Sequence, residues 1–401
     1  MSSDRPRFLL IAGYPDSIVR YRGRLLSQIQ AAGMEIHVAC PELTAEHPER
    51  RGLEALGAVV HDIPLQHNAV GLWSELGGFL ALLRLVRRVR PTKVLACSNK
   101  PILYGLSAAW MAGVPDRYAL LSGLGIGFEE EGFNSPLRRV IRLLYRCVMP
   151  LVSVVFFQNP DDQALMKELG ILRPGNASVV VNGSGVDVSE FAVRPLPERP
   201  TFVLVSRLIR EKGICEFVDA ATQITRRHPQ ARFLLLGKTD NRPNSITQEQ
   251  LEAWVGSGVI EYPGFVPDVR PLLAASSVFV LPSYYREGVP RSTLEALSMG
   301  RAVITTDSPG CRETVIDGDN GYCVKPRSVE ALVDAMEKMI AQPQRVAEMG
   351  ARSRKLAERR FDVHAVTRAM LGTMGIPVTS PGVDDIVDGA GGVTGHAGRG
   401  S

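Results

Sequence analysis

Twelve short runs rich in apolar and β-branched residues, separated by helical stretches, constrain this chain more than any other feature. Seven lie in the first half: Phe8 to Ala12, Glu35 to Ala39, Val59 to Ile63, Lys93 to Ala96, Tyr118 to Ser122, Val154 to Phe157 and Ser178 to Val181. Five follow: Thr201 to Ser206, Arg232 to Leu236, Val259 to Tyr262, Val278 to Leu281 and Val303 to Thr306. Runs this short with helix-length spacers predict βαβ units, because parallel neighbours need a crossover rather than a tight turn. The rhythm pauses at Asn182-Gly-Ser-Gly-Val-Asp187 and the Pro-rich Arg194 to Pro200, which read as a linker. A chain of 401 residues also exceeds the size at which a single core stops growing. The expected architecture is α/β, with two doubly wound domains facing a cleft. Boundaries fall at 1–190 and 191–360, followed by a C-terminal helix at 361–376 and a Gly-rich tail at 377–401 expected to be disordered.

Composition removes several classes of function. Hydrophobic residues at 45% and charged residues at 22% describe a folded chain, and a net charge of +4 is too small to argue for nucleic acid. The charge is uneven, with eleven Lys or Arg against four acids between Arg84 and Arg146. The basic residues lack the interleaved aromatics on which bases stack, so no nucleic-acid partner is expected. Six scattered cysteines, without Cys-x-x-Cys or a partnering His pair, predict buried reduced thiols and no metal site. The amino terminus runs directly into a strand without a secretory apolar core, so a cytosolic chain is expected and the Asn176-Ala-Ser178 sequon carries no glycan. No stretch is long enough to span a bilayer; Cys147 to Phe157 is short and holds Pro150.

Chemistry concentrates in two segments of the second half. Glu287 and Glu295 stand eight residues apart in Glu-Gly-Val-Pro-Arg-Ser-Thr-Leu-Glu, and Arg207 and Lys212 lie about eighty residues upstream in Ser-Arg-Leu-Ile-Arg-Glu-Lys-Gly. Glu287 follows the run Val278 to Leu281, at the carboxyl end of a strand, where open α/β sheets bind ligands. Glu295 is expected roughly two turns into a helix opened by Pro290. Two cations suit a diphosphate, Arg gripping in a bidentate fork and Lys acting as a point charge, while two carboxylates suit hydroxyls. Gly288 and Val289 precede the helix tip, whose amides favour an anion. Arg207 and Lys212 read equally well as two surface cations, and Glu295 as a helical residue among Leu294 and Leu297, although a carboxylate there needs partners.

These segments, with Asn182 to Asp187, Thr305-Thr-Asp-Ser-Pro-Gly-Cys-Arg-Glu-Thr314 and Ser122-Gly-Leu-Gly-Ile-Gly-Phe128, resemble the retaining GT-B glycosyltransferases of family 4, from Gly13 to about Phe361. The resemblance implies two Rossmann-like domains and a UDP-sugar donor clamped by Arg207 and Lys212. It implies further that Glu287 contacts the sugar and Glu295 the ribose. Gly13, Gly288, Val289, Pro290, Gly237 and Val266 complete the implied donor set. More narrowly, the motifs resemble a bacterial subgroup that adds an N-acetylhexosamine, often GalNAc, to an undecaprenyl-diphosphate-linked sugar. In the implied mechanism the leaving diphosphate takes the acceptor proton, so no protein nucleophile, metal or cofactor is required; no Asp-x-Asp stands where a nucleotide-bound cation would sit. Many members carry a His near residue 123, and this chain has Ser122-Gly-Leu-Gly instead.

Gly123-Leu-Gly-Ile-Gly127 lacks dinucleotide spacing and precedes Glu129, Glu130 and Glu131, which would repel a pyrophosphate. Gly123 and Gly125 are assigned instead to an acceptor-side loop. The segment Ser135 to Met149 opens with a Ser cap and a Pro, and places Arg138, Arg139, Arg142 and Arg146 on one face. Leu82 to Arg90 repeats the pattern with Arg84, Arg87 and Arg88. Two basic amphipathic helices suit an anionic membrane surface, hence a peripheral enzyme on the inner face of the cell membrane, or are two solvated helix faces. A UDP-sugar epimerase of the same fold and a non-catalytic nucleotide-sugar-binding protein are the competing readings. The first lacks an acid/base set around the sugar, and the second does not need all four clamp residues.

Overall fold

The computed structural model describes residues 5–16, 18–65, 72–128, 135–239 and 244–378. Nearly all of the tail expected to be disordered lies outside them.

Seven parallel strands form the first sheet: β1 (Arg7–Ile11), β2 (Glu35–Cys40), β3 (Val59–Asp62), β4 (Lys93–Cys97), β5 (Asp116–Leu121), β6 (Val154–Phe157) and β7 (Ala177–Val180), in the order β3-β2-β1-β4-β5-β6-β7. Six parallel strands form the second: β8 (Thr201–Val205), β9 (Arg232–Leu236), β10 (Glu261–Gly264), β11 (Val278–Leu281), β12 (Ala302–Thr306) and β13 (Gly321–Val324), in the order β10-β9-β8-β11-β12-β13. Each order reverses once, between β1 and β4 and between β8 and β11. Connections leave in opposite directions at those points and open a crevice beyond the strands' carboxyl ends.

Burial explains the unbroken apolar runs. In β1, Leu9 and Ile11 join a core with Leu82, Val86 and Val94, while Phe8 and Leu10 face the opposite layer with Ile18, Leu25 and Ile36. Both faces are covered, so successive residues are apolar although their side chains alternate.

Three elements differ from the sequence reading. The sixth strand of the second sheet, β13, is absent from the twelve runs; its burial is only partial at Tyr322 and Cys323, and Gly321 interrupts the β-branched pattern. The strand expected at Val259 to Tyr262 is observed two residues later, where its pairing with β9 shifts register between Glu261 and Gly264. The C-terminal helix expected at 361–376 is observed at Val363–Thr373, capped by Asp362, and is preceded by helix Pro343–Leu356 and a π-helical turn at Ala357–Phe361.

That last helix crosses back to the first sheet. Val366, Met370, Leu371 and Met374 are buried in the layer containing Phe8 and Leu10, and the Met374 carbonyl accepts from Lys93 Nζ at 2.9 Å and Tyr118 Oη at 3.2 Å. The linker is held as well. Arg301, fully buried, donates to the carbonyls of Arg194 and Pro195, and Arg354 donates to those of Val188, Phe191 and Ser298. The two halves are therefore joined at both ends of the second domain.

Because Leu371 is fully buried across this return, Leu371→Ala leaves a cavity and is expected to destabilise the first unfolding transition by about 2–5 kcal/mol, measured by denaturant titration.

Candidate functional site

The carboxyl edge of the second sheet gathers the residues singled out above. Arg207 follows β8 and is exposed, with no side-chain partner among the described residues. Gly237 follows β9, and Val266 lies just past the end of β10. After β11 the chain turns through Ser283 to Glu287, and the turn is tied to Arg210–Lys212: the Tyr284 and Tyr285 amides donate to the Glu211 carbonyl at 2.9 and 3.0 Å. Gly213 makes this approach possible. Its φ of 74° is left-handed, and a Cβ there would lie 2.2 Å from the Pro282 carbonyl oxygen.

The consequence is a buried ion pair. Lys212 Nζ contacts Glu287 Oε1, which also accepts from Ser283 Oγ at 3.1 Å, and both residues are under 10% exposed. The sequence reading assigned the two side chains to different parts of a ligand; the fold pairs them with each other. Lys212 Nζ also sits 5.5 Å from the Tyr285 ring centroid.

Pro290 is the N-cap, not the first residue, of helix Arg291–Ser298. Glu295 accordingly sits little more than one turn in, and its side chain is 2% exposed. Its required partners are present: Oε1 accepts from Arg20 at 2.5 Å and from Arg291 at 3.1 Å. Arg20 comes from the first domain, on helix Ile18–Ala31. The sequence offered no signal for Arg20, since nothing local links it to a residue 275 positions away.

The two carboxyl edges meet at the Glu287 turn. Gly123, at φ 102°, lies so close that a Cβ would stand 2.8 Å from the Gly288 amide nitrogen and 2.9 Å from the Arg286 carbonyl oxygen. Gly125 faces the Tyr285 hydroxyl. Gly123 and Gly125, which the sequence reading assigned to an acceptor-side loop, both abut the turn that carries Glu287. Glu129 to Glu131 lie outside the described residues. Gly13, buried after β1, packs against Ser98 at the first sheet's own reversal point.

Side chains following β6 complete the contact. Gln158 Oε1 accepts from the Val289 amide at 3.2 Å, and Asn159 Nδ2 donates to the Glu287 and Gly288 carbonyls at 3.0 and 2.9 Å. Asp162, fully buried, accepts from Arg286 Nε at 2.7 Å, and Asp161 pairs with Arg312 at 3.1 Å. Burial pushes the Asp162 carboxyl up to about 6 against the pull of Arg286, so this contact is fully ionic only above that pH. Gly288 and Val289 were expected to present open amides at the tip of the helix opened by Pro290. All three residues are instead buried, and the Val289 amide is taken, since a buried unpaired N–H costs about 1–3 kcal/mol. Sequence reasoning missed Gln158, Asn159 and Asp162; locally, Asn159 is the N-cap of helix Pro160–Glu168 and Asp162 lies in its first turn.

The arginines of helix Pro136–Val148 lie apart from this set and are arranged differently from the expectation. Arg142 is 8% exposed and Arg138 is partly buried, while Leu137, Val140, Leu143 and Leu144 are 40–62% exposed. The apolar face looks outward, and only Arg139 and Arg146 are exposed beside it. Tyr145 and Val148 anchor the inner face, and Tyr145 Oη donates to Asn99 at 2.6 Å, which fixes the helix in this rotation. In helix Leu72–Val89 the three arginines Arg84, Arg87 and Arg88 are exposed as expected, and Leu76 and Leu80 are exposed nearer its start.

Of the six cysteines, Cys40, Cys97 and Cys311 are buried, Cys215 and Cys323 half-buried and Cys147 exposed; all are free thiols. The described residues contain no group of three His, Cys, Asp or Glu side chains suited to a metal.

The Lys212–Glu287 pair makes a stability prediction. Lys212→Met leaves a buried carboxylate unpaired and is expected to destabilise the fold by about 3–5 kcal/mol, whereas Lys212→Met combined with Glu287→Gln recovers most of that loss in denaturant titrations.

Residues 17–183 match the family model for the Glycosyl transferase 4-like domain, and residues 199–342 match that for Glycosyl transferases group 1. The chain is 26% identical over 339 residues, 81% of its own length and 86% of the other's, to the N,N'-diacetylbacillosaminyl-diphospho-undecaprenol alpha-1,3-N-acetylgalactosaminyltransferase of Campylobacter jejuni. Among solved structures, sucrose-phosphate synthase from Thermosynechococcus elongatus superposes with a TM-score of 0.75 at 18% identity, covering 91% of this chain and 97% of that one. Anabaena HepE in complex with UDP superposes with a TM-score of 0.72 at 18% identity, covering 92% and 99%. Both domains thus match in sequence and in the facing arrangement of their sheets, and the chain belongs to the glycosyltransferases of family 4, with the GT-B fold.

Proposed function

We propose that this glycosyltransferase moves an N-acetylhexosamine, with retention, from a UDP-sugar to a polyprenyl-diphosphate-linked saccharide. The observation that carries the reading is the convergence of Arg207, Lys212 and Glu287 at the β8/β11 reversal point, directly beneath the first domain. The acceptor and sugar follow the activity named for the Campylobacter relative, and the nucleotide follows the UDP complex of the Anabaena structure.

Transfer breaks the bond between the anomeric carbon and the β-phosphate oxygen, and a bond from the acceptor hydroxyl forms on the same face. The hydroxyl proton passes to the departing phosphate oxygen. Negative charge grows on that oxygen as the bond stretches, so pre-positioned cations lower the barrier. Arg207 is exposed and uncommitted and supplies a guanidinium for the diphosphate. Lys212 is held by Glu287, an arrangement that fixes its ammonium in place and leaves the carboxylate oriented for sugar hydroxyls. Glu295, held by Arg20 and Arg291, is the residue for the ribose, and Gly237 and Val266 line the base end of the same edge. With two cations supplying the neutralisation, the reading needs neither metal nor cofactor.

An acceptor with a polyprenyl tail stays in a bilayer, so the enzyme has to work at its surface. No helix among the described residues is long and apolar enough to cross a membrane. The exposed Leu137, Val140, Leu143 and Leu144, with Arg139 and Arg146 beside them, suit shallow insertion among anionic headgroups. Helix Pro136–Val148 starts on the carboxyl side of β5, as does helix Leu72–Val89 on that of β3, so both exposed leucine groups lie toward the cleft edge of the first domain. Attachment is peripheral, on the cytoplasmic face, where UDP-sugars are found.

Arg207→Ala is expected to reduce transfer by roughly 10²–10³-fold while leaving the fold intact, read by mass of the product from UDP-N-acetylhexosamine and a polyprenyl-diphosphate-linked sugar. Undiminished turnover would remove the cation from the mechanism. Replacing Leu137, Val140, Leu143 and Leu144 by Ser should release the protein from anionic liposomes in a flotation assay, whereas retained binding would refute this face as the membrane contact.

A further inference from the structure

We propose that Asn159, with Gln158 beside it, is a positioning residue of the first domain that aims Glu287 of the second. This rests on the glycosyl-transfer reading above for its kinetic consequence, but not for its structural one.

Three successive backbone polar groups of the Glu287 turn are bonded by these two side chains. The Glu287 and Gly288 carbonyls accept from Asn159 Nδ2, and the Val289 amide donates to Gln158 Oε1. Asn159 is fully buried and Gln158 is 5% exposed, so none of these bonds competes with water. The orientation of the Asn159 amide is fixed by its surroundings: Nδ2 faces three oxygens, those of Glu287, Gly288 and Asp162, while Oδ1 accepts from the Asp162 amide at 2.8 Å. No carboxylate can take its place, since an acceptor would then face two carbonyls.

The turn has no room to relax. A Cβ on Gly288 would stand 2.1 Å from Gln158 Oε1, and one on Gly310 would stand 1.9 Å from the Gly288 carbonyl oxygen. Arg286, one residue before Glu287, is tied to Asp162. Glu287 therefore has its backbone set by the first domain and its carboxylate set by Lys212 and Ser283 of the second. Separation of the domains at this point would release the backbone half of that constraint, so alignment of Glu287 is coupled to domain contact. Asn159 touches no reacting atom in this arrangement; it acts through the turn.

The test is Asn159→Asp, which keeps size and removes the donor, assayed for kcat, for KM toward the UDP-sugar, for Tm and for amide hydrogen exchange over residues 286–291. A kcat reduced on the order of 10²-fold, with KM changed less than about threefold and faster exchange in that segment, is expected, because displacing a reacting group by about 1 Å costs that much. Wild-type kcat and wild-type exchange would overturn the proposal. So would a lowered Tm and raised KM with kcat intact, the pattern of a merely structural contact. If Asn159→Asp does not fold, Gln158→Ala removes the acceptor of the Val289 amide and is read in the same way. If the wild-type protein transfers no sugar from any UDP donor, the functional reading fails by itself, and the exchange measurement still decides whether Asn159 holds the turn.

Discussion

The structure of the site depends on one buried ion pair, Lys212 with Glu287, formed where two loops leave adjacent strands at the reversal point of the second sheet. Two charges removed from water are costly apart and tolerable together, so the 210–213 and 283–287 turns are bound to one geometry. Gly213 permits the approach, and the Glu211 carbonyl, accepting from the Tyr284 and Tyr285 amides, fastens it. In the proposed reaction, a diphosphate arriving at this edge would meet an ammonium already in place and a guanidinium, Arg207, free to reach it. The electrostatics precede the ligand, which is the condition for stabilising charge as it develops.

The first domain extends the same logic across the cleft. Its contributions are Gly123 pressed on the turn, Asn159 and Gln158 on the backbone, Asp162 on Arg286 and Arg20 on Glu295. Both carboxylates of the Glu-x7-Glu segment are thereby supported from the opposite domain, one through its backbone and the other through its carboxylate. Neither domain alone holds a complete site. The helix Val363–Thr373, returning to the first sheet, and the linker clasped by Arg301 and Arg354 make the contact a property of the whole chain.

What was legible in the sequence was whatever local pattern controls. Strand runs, linker composition and the capping signals at Ser135-Pro136 needed only neighbouring residues, and the fold follows them. The four residues Arg207, Lys212, Glu287 and Glu295 were legible because each sits next to a strand end or helix start. Pairing was not, since Lys212 and Glu287 are 75 positions apart and only the sheet order brings their loops together. Asn159 and Asp162 form an ordinary helix cap and first turn in local terms, and nothing in the neighbouring residues shows that such a side chain also bonds another domain. The rotation of helix Pro136–Val148 was misread for a related reason. A helical wheel separates its arginines from its leucines but does not say which side faces the protein, and Tyr145 and Val148 decide that.

A crystal structure of the protein with its UDP-sugar is the most direct measurement of the central claim. The diphosphate is expected within hydrogen-bond reach of Arg207 and beside Lys212, with the sugar against Glu287 and with the Asn159 bonds to the turn intact. A nucleotide bound away from the β8/β11 edge, with Lys212 and Glu287 still closed on each other and touching nothing else, would contradict it.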